Sequence, residues 1–367
     1  MKVLIVGFAK IKYMPYLNLY LDNIDRTVND VELLYWDRDM SVDKALPENI
    51  KVHRFFEELS DEVPKAAKIK SFLNFKSYAT SVIKKGRYDF IIVLTTAPAI
   101  LLSNFLLGKY KNKYIFDYRD YTLEKIPIYK KCVEFLVKNS RFTIISSEKH
   151  KKFLPDSPKI QIAHNFIKDS LNHRNIKNSI DKDIDKPIRF SYWGVIRNKE
   201  MNLAVIRNLA NDPRFDVCFY GRKQKTAEIL EQYCKENNIK NVRFAGEYIE
   251  KDRYEFVKDT DLLYNLYSAD GTAGMAMGNK YYDGIIFYLP QICTKGSFMG
   301  ERVEQYGIGF AADPESCSFA DDIYNYFHSV DNDTFRENCD KVLDDIKGEY
   351  GQLVEKINKL FNVINVG

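Results

Sequence analysis

The chain has 367 residues, 45% of them hydrophobic and 29% charged, with a formal net charge of +4. That apolar content excludes wholesale disorder, and the small net charge excludes a dedicated nucleic-acid binder. The length exceeds one ordinary domain, so two α/β domains are the starting expectation.

The chain opens on an apolar run at residues 3–6, ending at Gly7, which reads as a first strand and not as a leader peptide. Further β-branched or aromatic runs stand at 31–36, 52–55, 90–94, 114–117, 142–146 and 160–163. Helical patterns lie between them at 15–23, 65–85, 97–107 and 126–138. The longest apolar stretch, 90–107, is broken by Thr95, Thr96, Pro98, Ser103 and Asn104. It reads as a buried strand followed by a helix, not as a membrane span. From 167 to 186 the sequence turns polar and loses periodicity, which marks a domain boundary. Strand–helix alternation then restarts, with strands expected at 188–193, 217–220, 242–244, 262–266, 291–294 and 309–311, and a last helix over 334–361. Such alternation predicts two doubly wound parallel sheets, with domains over 1–168 and 187–345 and a final segment, 346–367, returning toward the first. Ligands of such sheets bind at the carboxyl ends of the strands, and the cleft between two facing domains is the expected site.

Cys132, Cys218, Cys234, Cys293, Cys317 and Cys339 form no Cys-x-x-Cys pair, and the five histidines show no ligand spacing. They read as thiols of a reducing compartment, with no metal expected and a cytoplasmic location. The Asn332-Asp333-Thr334 triplet matches a glycosylation acceptor by chance.

Several strand ends carry chemistry. Gly7 follows the first strand without a G-x-G-x-x-G pattern, which makes a dinucleotide cofactor improbable. Asp117, Arg119 and Asp120 close the run at 114–117. Their carboxylates can position or deprotonate an acceptor hydroxyl, and the arginine can hold an anion; an internal ion pair is the plain alternative. His164 and Asn165 precede the polar boundary and border the acceptor side, unless they only tie down a loop. Gly194, Arg197 and Lys199 lie between a strand and a helix. A glycine for close approach, a helix N-terminus and two cations are the parts of a diphosphate site. Tyr220 with Gly221, and Tyr248 after Gly246, suit either a base-stacking pocket or ordinary turns. Asn279, Lys280 and Asp283 follow a loop of small residues at 271–278 and suit phosphate and hydroxyl groups.

The second half resembles the nucleotide-sugar domain of GT-B glycosyltransferases close to family four, especially those of bacterial capsule and exopolysaccharide clusters. The matching features are the turn from Gly194 to Arg197, Phe244-x-Gly246, the strand Asp261-Leu262-Leu263-Tyr264-Asn265, and Asn279-Lys280-x-Tyr282-Asp283 before Pro290. The resemblance implies that Arg197 and Lys280 neutralise a donor diphosphate and that Asp283 holds ribose hydroxyls. By spacing from Pro290, Asp283 stands at the second glutamate of the family's E-x7-E pattern. The first falls on Met275, where this sequence departs, and the sugar contact would pass to backbone amides over 273–277 or to Lys280. Before Asp117 the likeness is weak. It further implies a retaining transfer without a metal or cofactor, from a UDP-sugar to a lipid-linked or oligosaccharide acceptor.

Between Val63 and Tyr88 stand Lys65, Lys68, Lys70, Lys76, Lys84, Lys85 and Arg87 without an acid. Ile69, Phe72, Leu73, Val82 and Ile83 lie at helical spacing, so this helix either touches an anionic bilayer as a peripheral anchor or packs as an ordinary surface helix. Two other readings remain: a sugar-nucleotide 2-epimerase, which shares the fold, and a non-catalytic sugar-nucleotide-binding subunit of a synthase complex, which the missing glutamate at Met275 motivates.

Overall fold

The computed structural model describes residues 1–39, 41–59, 65–177, 180, 182–269, 271 and 273–362, with the side chains of 65–67 and 250 left aside. The chain divides into two compact units, residues 1–164 with 348–367, and residues 165–347.

The first unit is a seven-stranded parallel sheet. Its strands are β1 (Lys2–Val6), β2 (Asp30–Asp37), β3 (Lys51–Phe56), β4 (Phe90–Leu94), β5 (Tyr114–Tyr118), β6 (Phe142–Ile145) and β7 (Ile160–Ile162), in the order β3-β2-β1-β4-β5-β6-β7. The order reverses between β1 and β4, whose registers run Val3 beside Phe90 to Val6 beside Val93. β1 after Lys2, and all of β4, are apolar because a parallel sheet buries both faces. One face carries Leu4, Val6, Ile91, Val93 and Phe116 and is covered by the helices Lys65–Gly86, Thr96–Leu101, Ser103–Leu107 and Pro127–Asn139. The alternating residues Val3, Ile5, Ile92, Leu94 and Ile115 pack on the other face against Leu17, Tyr20 and Ile24 and against Leu353, Ile357 and Phe361. Those last three lie on the helix Asn332–Phe361, whose earlier residues, among them Phe335, Cys339 and Leu343, belong to the core of the second unit.

The second unit is a six-stranded parallel sheet of β8 (Ile188–Trp193), β9 (Phe215–Tyr220), β10 (Val242–Gly246), β11 (Leu262–Asn265), β12 (Gln291–Thr294) and β13 (Gly309–Ala312). Its order is β10-β9-β8-β11-β12-β13, reversing between β8 and β11. Both sheets are therefore the doubly wound, Rossmann-like kind expected from the alternation.

The polar stretch at 167–186 is not a bare linker. Lys168–Ile176 forms a 3-10 helix bound into the second unit, where Arg253 donates to the Ser170 hydroxyl at 2.9 Å, Tyr254 to Asp169 at 2.7 Å and Arg174 to the Tyr288 hydroxyl at 2.8 Å. Polar composition here reflects side chains that hydrogen-bond across the surface of the unit. Among the described residues, no helix is long and apolar enough to cross a membrane.

Candidate functional site

The carboxyl ends of β8 and β11 flank the point where the second sheet reverses, and three segments carrying the residues singled out above meet there. After β8, Gly194 takes φ +125°, a conformation that strains any residue with a Cβ, and a Cβ there would meet open space. The turn that follows is braced from below. Tyr192 donates to the Val195 carbonyl at 2.7 Å, Asn202 donates to the Arg197 carbonyl, and Tyr264 donates to Asn202 Oδ1 at 2.6 Å. Asn198 then adopts the left-handed conformation, φ 58°, before the helix Lys199–Leu209. Arg197 is left with an exposed side chain. Gly221, at the end of β9, is required by close approach, since a Cβ would lie 1.9 Å from the Gly194 carbonyl oxygen.

Lys280 comes from the third segment, the helix Asn279–Ile286, and is only 4% exposed. Its ammonium donates to the Tyr264 carbonyl at 3.0 Å, at the end of β11, and lies 3.6 Å over the Tyr192 ring and 4.8 Å over that of Tyr267. Among the described residues no carboxylate pairs with Lys280 or with Arg197. Desolvation therefore pushes the Lys280 pKa down to about 7, against the smaller opposing pull of Cys293 and Asp283. Arg197 acts on the same pair of rings: burial raises the Tyr192 hydroxyl to about 12 and the Tyr267 hydroxyl well above its ordinary value, and in both the Arg197 guanidinium pulls the other way. A buried cation without a counter-charge is costly to the empty protein and is relieved by an anion.

Anabaena HepE, solved in complex with UDP, superposes with TM-score 0.70 at 15% identity, covering 98% of this chain and 100% of that one. Sucrose-phosphate synthase from Thermosynechococcus elongatus superposes with TM-score 0.67 at 11% identity over 98% and 100%. The chain has the GT-B fold. UDP-GlcNAc 2-epimerase from Neisseria meningitidis, solved with UDP-GlcNAc, matches less well, with TM-score 0.55 at 14% identity over 94% and 99%. No protein-family model matches the sequence, and no curated protein does.

The other residues singled out in the second half of the sequence lie in varied settings. Asp283 is 2% exposed, and its carboxylate takes a 3.1 Å ion pair from Arg253, so it sits as an interior group and not as an open ribose ligand. Tyr220 is buried, with its ring stacked 3.9 Å from that of Phe256, so it cannot receive a base. Tyr248 packs edge-on to Phe256 at 5.1 Å and is half-buried. Lys199 is exposed and pairs with its neighbour Glu200 at 2.8 Å, pointing its charge along its own helix. Asn279 is exposed at the first position of its helix, whose first turn carries no acid. Met275 ends a short 3-10 turn, Ala273–Met275, and Gly274 is pressed so close to the Ala269 carbonyl that a Cβ would lie 1.9 Å from it. Thr272, in the same loop, lies outside the described residues.

In the first unit, β5 ends on the Asp117–Asp120 group. Asp117 is fully buried and accepts from the Tyr20 hydroxyl at 2.7 Å and from Arg119 at 2.5 and 3.1 Å. It is the internal ion pair, a support for Arg119 and not a base. Arg119 is itself buried, over the Tyr16 ring at 4.9 Å. Asp120 alone keeps an exposed side chain. Partial desolvation raises its carboxyl pKa, with Arg119 opposing and the carboxylates of Asp117 and Glu124 adding to the rise. His150, which no sequence spacing marked, lies edge-on to Tyr118 at 5.6 Å, and its buried Nδ1 finds no partner among the described residues. Desolvation and the Arg119 charge push its pKa down to about 4. Gly7 makes room for the Met14 thioether, 2.6 Å from where a Cβ would stand, which gives it a packing role. His164 pairs with Glu349 at 2.8 Å within the same unit, tying the strand end to the last helix.

Among the described residues no group of three or more His, Cys, Asp or Glu side chains could hold a metal. The Asp37-Arg38-Asp39 triplet has an Asp-x-Asp pattern, but both carboxylates close on the buried Lys10, at 3.1 and 2.5 Å.

Proposed function

We propose that the chain is a glycosyltransferase that moves a sugar from a nucleoside diphosphate donor, a UDP-sugar, to a growing, lipid-linked bacterial surface glycan of the capsule, exopolysaccharide or O-antigen kind. The observation that carries this reading is Lys280, a buried ammonium with no ion pair among the described residues at the reversal point of a doubly wound sheet, over the Tyr192 and Tyr267 rings that the exposed Arg197 also acts on. Once a donor is bound, the charges of Lys280 and Arg197 stabilise the diphosphate as it leaves the sugar. HepE, named above with UDP, supports a uridine donor. Retention of configuration and independence from metal follow the family resemblance. On the first unit, Asp120 is the exposed carboxylate, its pKa raised toward the range useful to a group that accepts a proton from a sugar hydroxyl.

A peripheral membrane contact through the basic helix fits a lipid-linked acceptor. On Lys65–Gly86 the apolar positions split: Val82 and Ile83 join the core, whereas Ile69 and Leu73 face outward beside Lys70.

The test is thermal unfolding with uridine and guanosine diphosphates and their sugars, followed by turnover. A donor at 100 times its dissociation constant adds about 2.7 kcal/mol. Arg197→Ala is expected to weaken that donor roughly ten- to a hundredfold, the worth of a hydrogen bond to a charged group. Asp120→Asn is expected to keep donor binding and lose turnover. Unchanged function with Asp120→Asn favours a non-catalytic donor-binding subunit, and no stabilisation by any diphosphate overturns the donor site.

A further inference from the structure

The segment that follows Asp120 is built inside out. Glu124, its one acid, is buried, accepting from the Tyr118 hydroxyl at 2.8 Å and from the backbone N–H of Thr122. Leu123, Ile126 and Ile128 point the other way, at 53%, 46% and 79% exposure. A loop that met only water would reverse that choice, since a buried carboxylate and exposed aliphatic side chains both cost free energy. The arrangement is also rigid. The Thr122 and Tyr129 hydroxyls bond at 2.8 Å, the Tyr121 ring packs 4.3 Å from that of Phe153, and the Ile126 N–H donates to the Leu123 carbonyl at 2.8 Å.

The apolar face continues along the helix Pro127–Asn139. Val133, Leu136 and Val137 turn into the core, whereas Ile128 and Phe135, two turns apart, remain on the outer side with Lys131 between them. Lys125, Lys130, Lys131 and Lys138 are all exposed around these residues, against the single half-buried Glu134. Exposed aliphatic side chains ringed by lysines complement one surface in particular, an anionic bilayer. The apolar groups enter the headgroup boundary and the ammonium groups meet lipid phosphates. The helix Lys65–Gly86 covers the same face of the sheet, with Thr96–Leu101 packed against both helices.

The geometry points to the surface made by Leu123, Ile126, Ile128 and Phe135, with Lys125, Lys130 and Lys131, as a docking edge for an anionic lipid bilayer, next to Asp120. The inference deepens the reading of a lipid-linked acceptor and rests on it only for its purpose: docking is measured without donor or acceptor. The test is co-sedimentation of the full chain with phosphatidylglycerol vesicles and with phosphatidylcholine vesicles. Wild type is expected to bind the anionic vesicles at least tenfold better and to be released by high salt. The triple variant Leu123→Ser, Ile126→Ser, Ile128→Ser is expected to lose at least tenfold of that binding with UDP stabilisation unchanged. Ile128→Trp is expected to shift its emission to the blue on the anionic vesicles alone. Equal binding of wild type and triple variant, no binding of wild type, or no shift from Ile128→Trp overturns the assignment. So does light scattering in which the triple variant turns a dimer into a monomer, which would give the surface to a second copy of the chain. Loss of UDP stabilisation in wild type would strike the donor reading and leave the vesicle result standing.

Discussion

Replacing Lys280 with methionine keeps the stem and removes the charge, which makes it the sharpest probe of the candidate site. Burial drives its pKa from 10.5 down to about 7. At 1.36 kcal/mol for each pKa unit, keeping that proton below neutral pH costs the empty fold on the order of 5 kcal/mol. The unfolded chain holds the proton up to pH 10.5 and the folded chain releases it above about 7. The unfolded state therefore binds more protons across that window, and stability rises with pH through it. Lys280→Met removes this dependence. It also loses the bond to the Tyr264 carbonyl and the contacts over Tyr192 and Tyr267. The expected net gain at pH 7 is about 1–3 kcal/mol, read as a melting rise of several degrees for a domain of this size. A diphosphate reverses the balance, because its charge restores the ammonium. At pH 8 roughly one tenth of Lys280 is protonated in the empty protein, so binding should draw about 0.9 proton from solution. Calorimetric titration with UDP at pH 8, in two buffers of different ionisation heat, reads that number directly. Identical heats in both buffers would refute the reasoning. So would a methionine variant that is less stable than wild type and binds UDP unchanged.

Two further outcomes test the surrounding structure. Gly221→Ala places a methyl group 1.9 Å from the Gly194 carbonyl. It should cost about 2–3 kcal/mol in denaturant unfolding and weaken UDP binding with it, and an unperturbed variant would mean the two strand ends are further apart than described. His150 has its pKa pushed from 6.5 down to about 4, so the unfolded chain binds the extra proton between those values and stability falls as pH drops through them. His150→Phe should flatten that slope, worth on the order of 3 kcal/mol, in unfolding curves at pH 4.5 and 7. A wild-type protein equally stable at both would remove the case for a buried neutral imidazole.

The strands of the described residues were legible because a parallel sheet sealed on both faces demands short, mostly apolar runs: 3–6 and 90–94 are unbroken, and 188–193 and 262–266 are interrupted only at Arg189, Ser191 and Asn265. The glycine turns at Gly194 and Gly221 were legible for the same local reason. What makes Lys280 exceptional was not. Its neighbours Tyr192, Tyr264 and Tyr267 come from two other strand ends, so the sequence marked Lys280 as a phosphate or hydroxyl contact but could not show that it is buried over those rings. Asp117 misled for the converse reason. A strand-end carboxylate beside an arginine looks poised for chemistry, and only the Tyr20 hydroxyl, 97 positions earlier, shows its lone pairs already taken. His150 escaped notice because its meeting with Tyr118 depends on how β6 returns to β5, which no spacing records.

The helix Asn332–Phe361 carries a consequence for how the protein is made. Leu353, Ile357 and Phe361 form part of the wall behind Val3, Ile5 and Val31, and the Asn29 side chain donates to the Phe361 carbonyl at 2.8 Å. A ribosome completes the first sheet at β7 and delivers this wall only after some two hundred further residues. During that interval one apolar face of the first sheet, covered by Leu17, Tyr20 and Ile24, lacks the rest of its wall while the second unit is being completed. At about 5–20 residues per second the wait is on the order of tens of seconds, long enough for a chaperone to matter. A chain cut after Lys347 would then leave the second unit intact and hold the first one permanently in that waiting state.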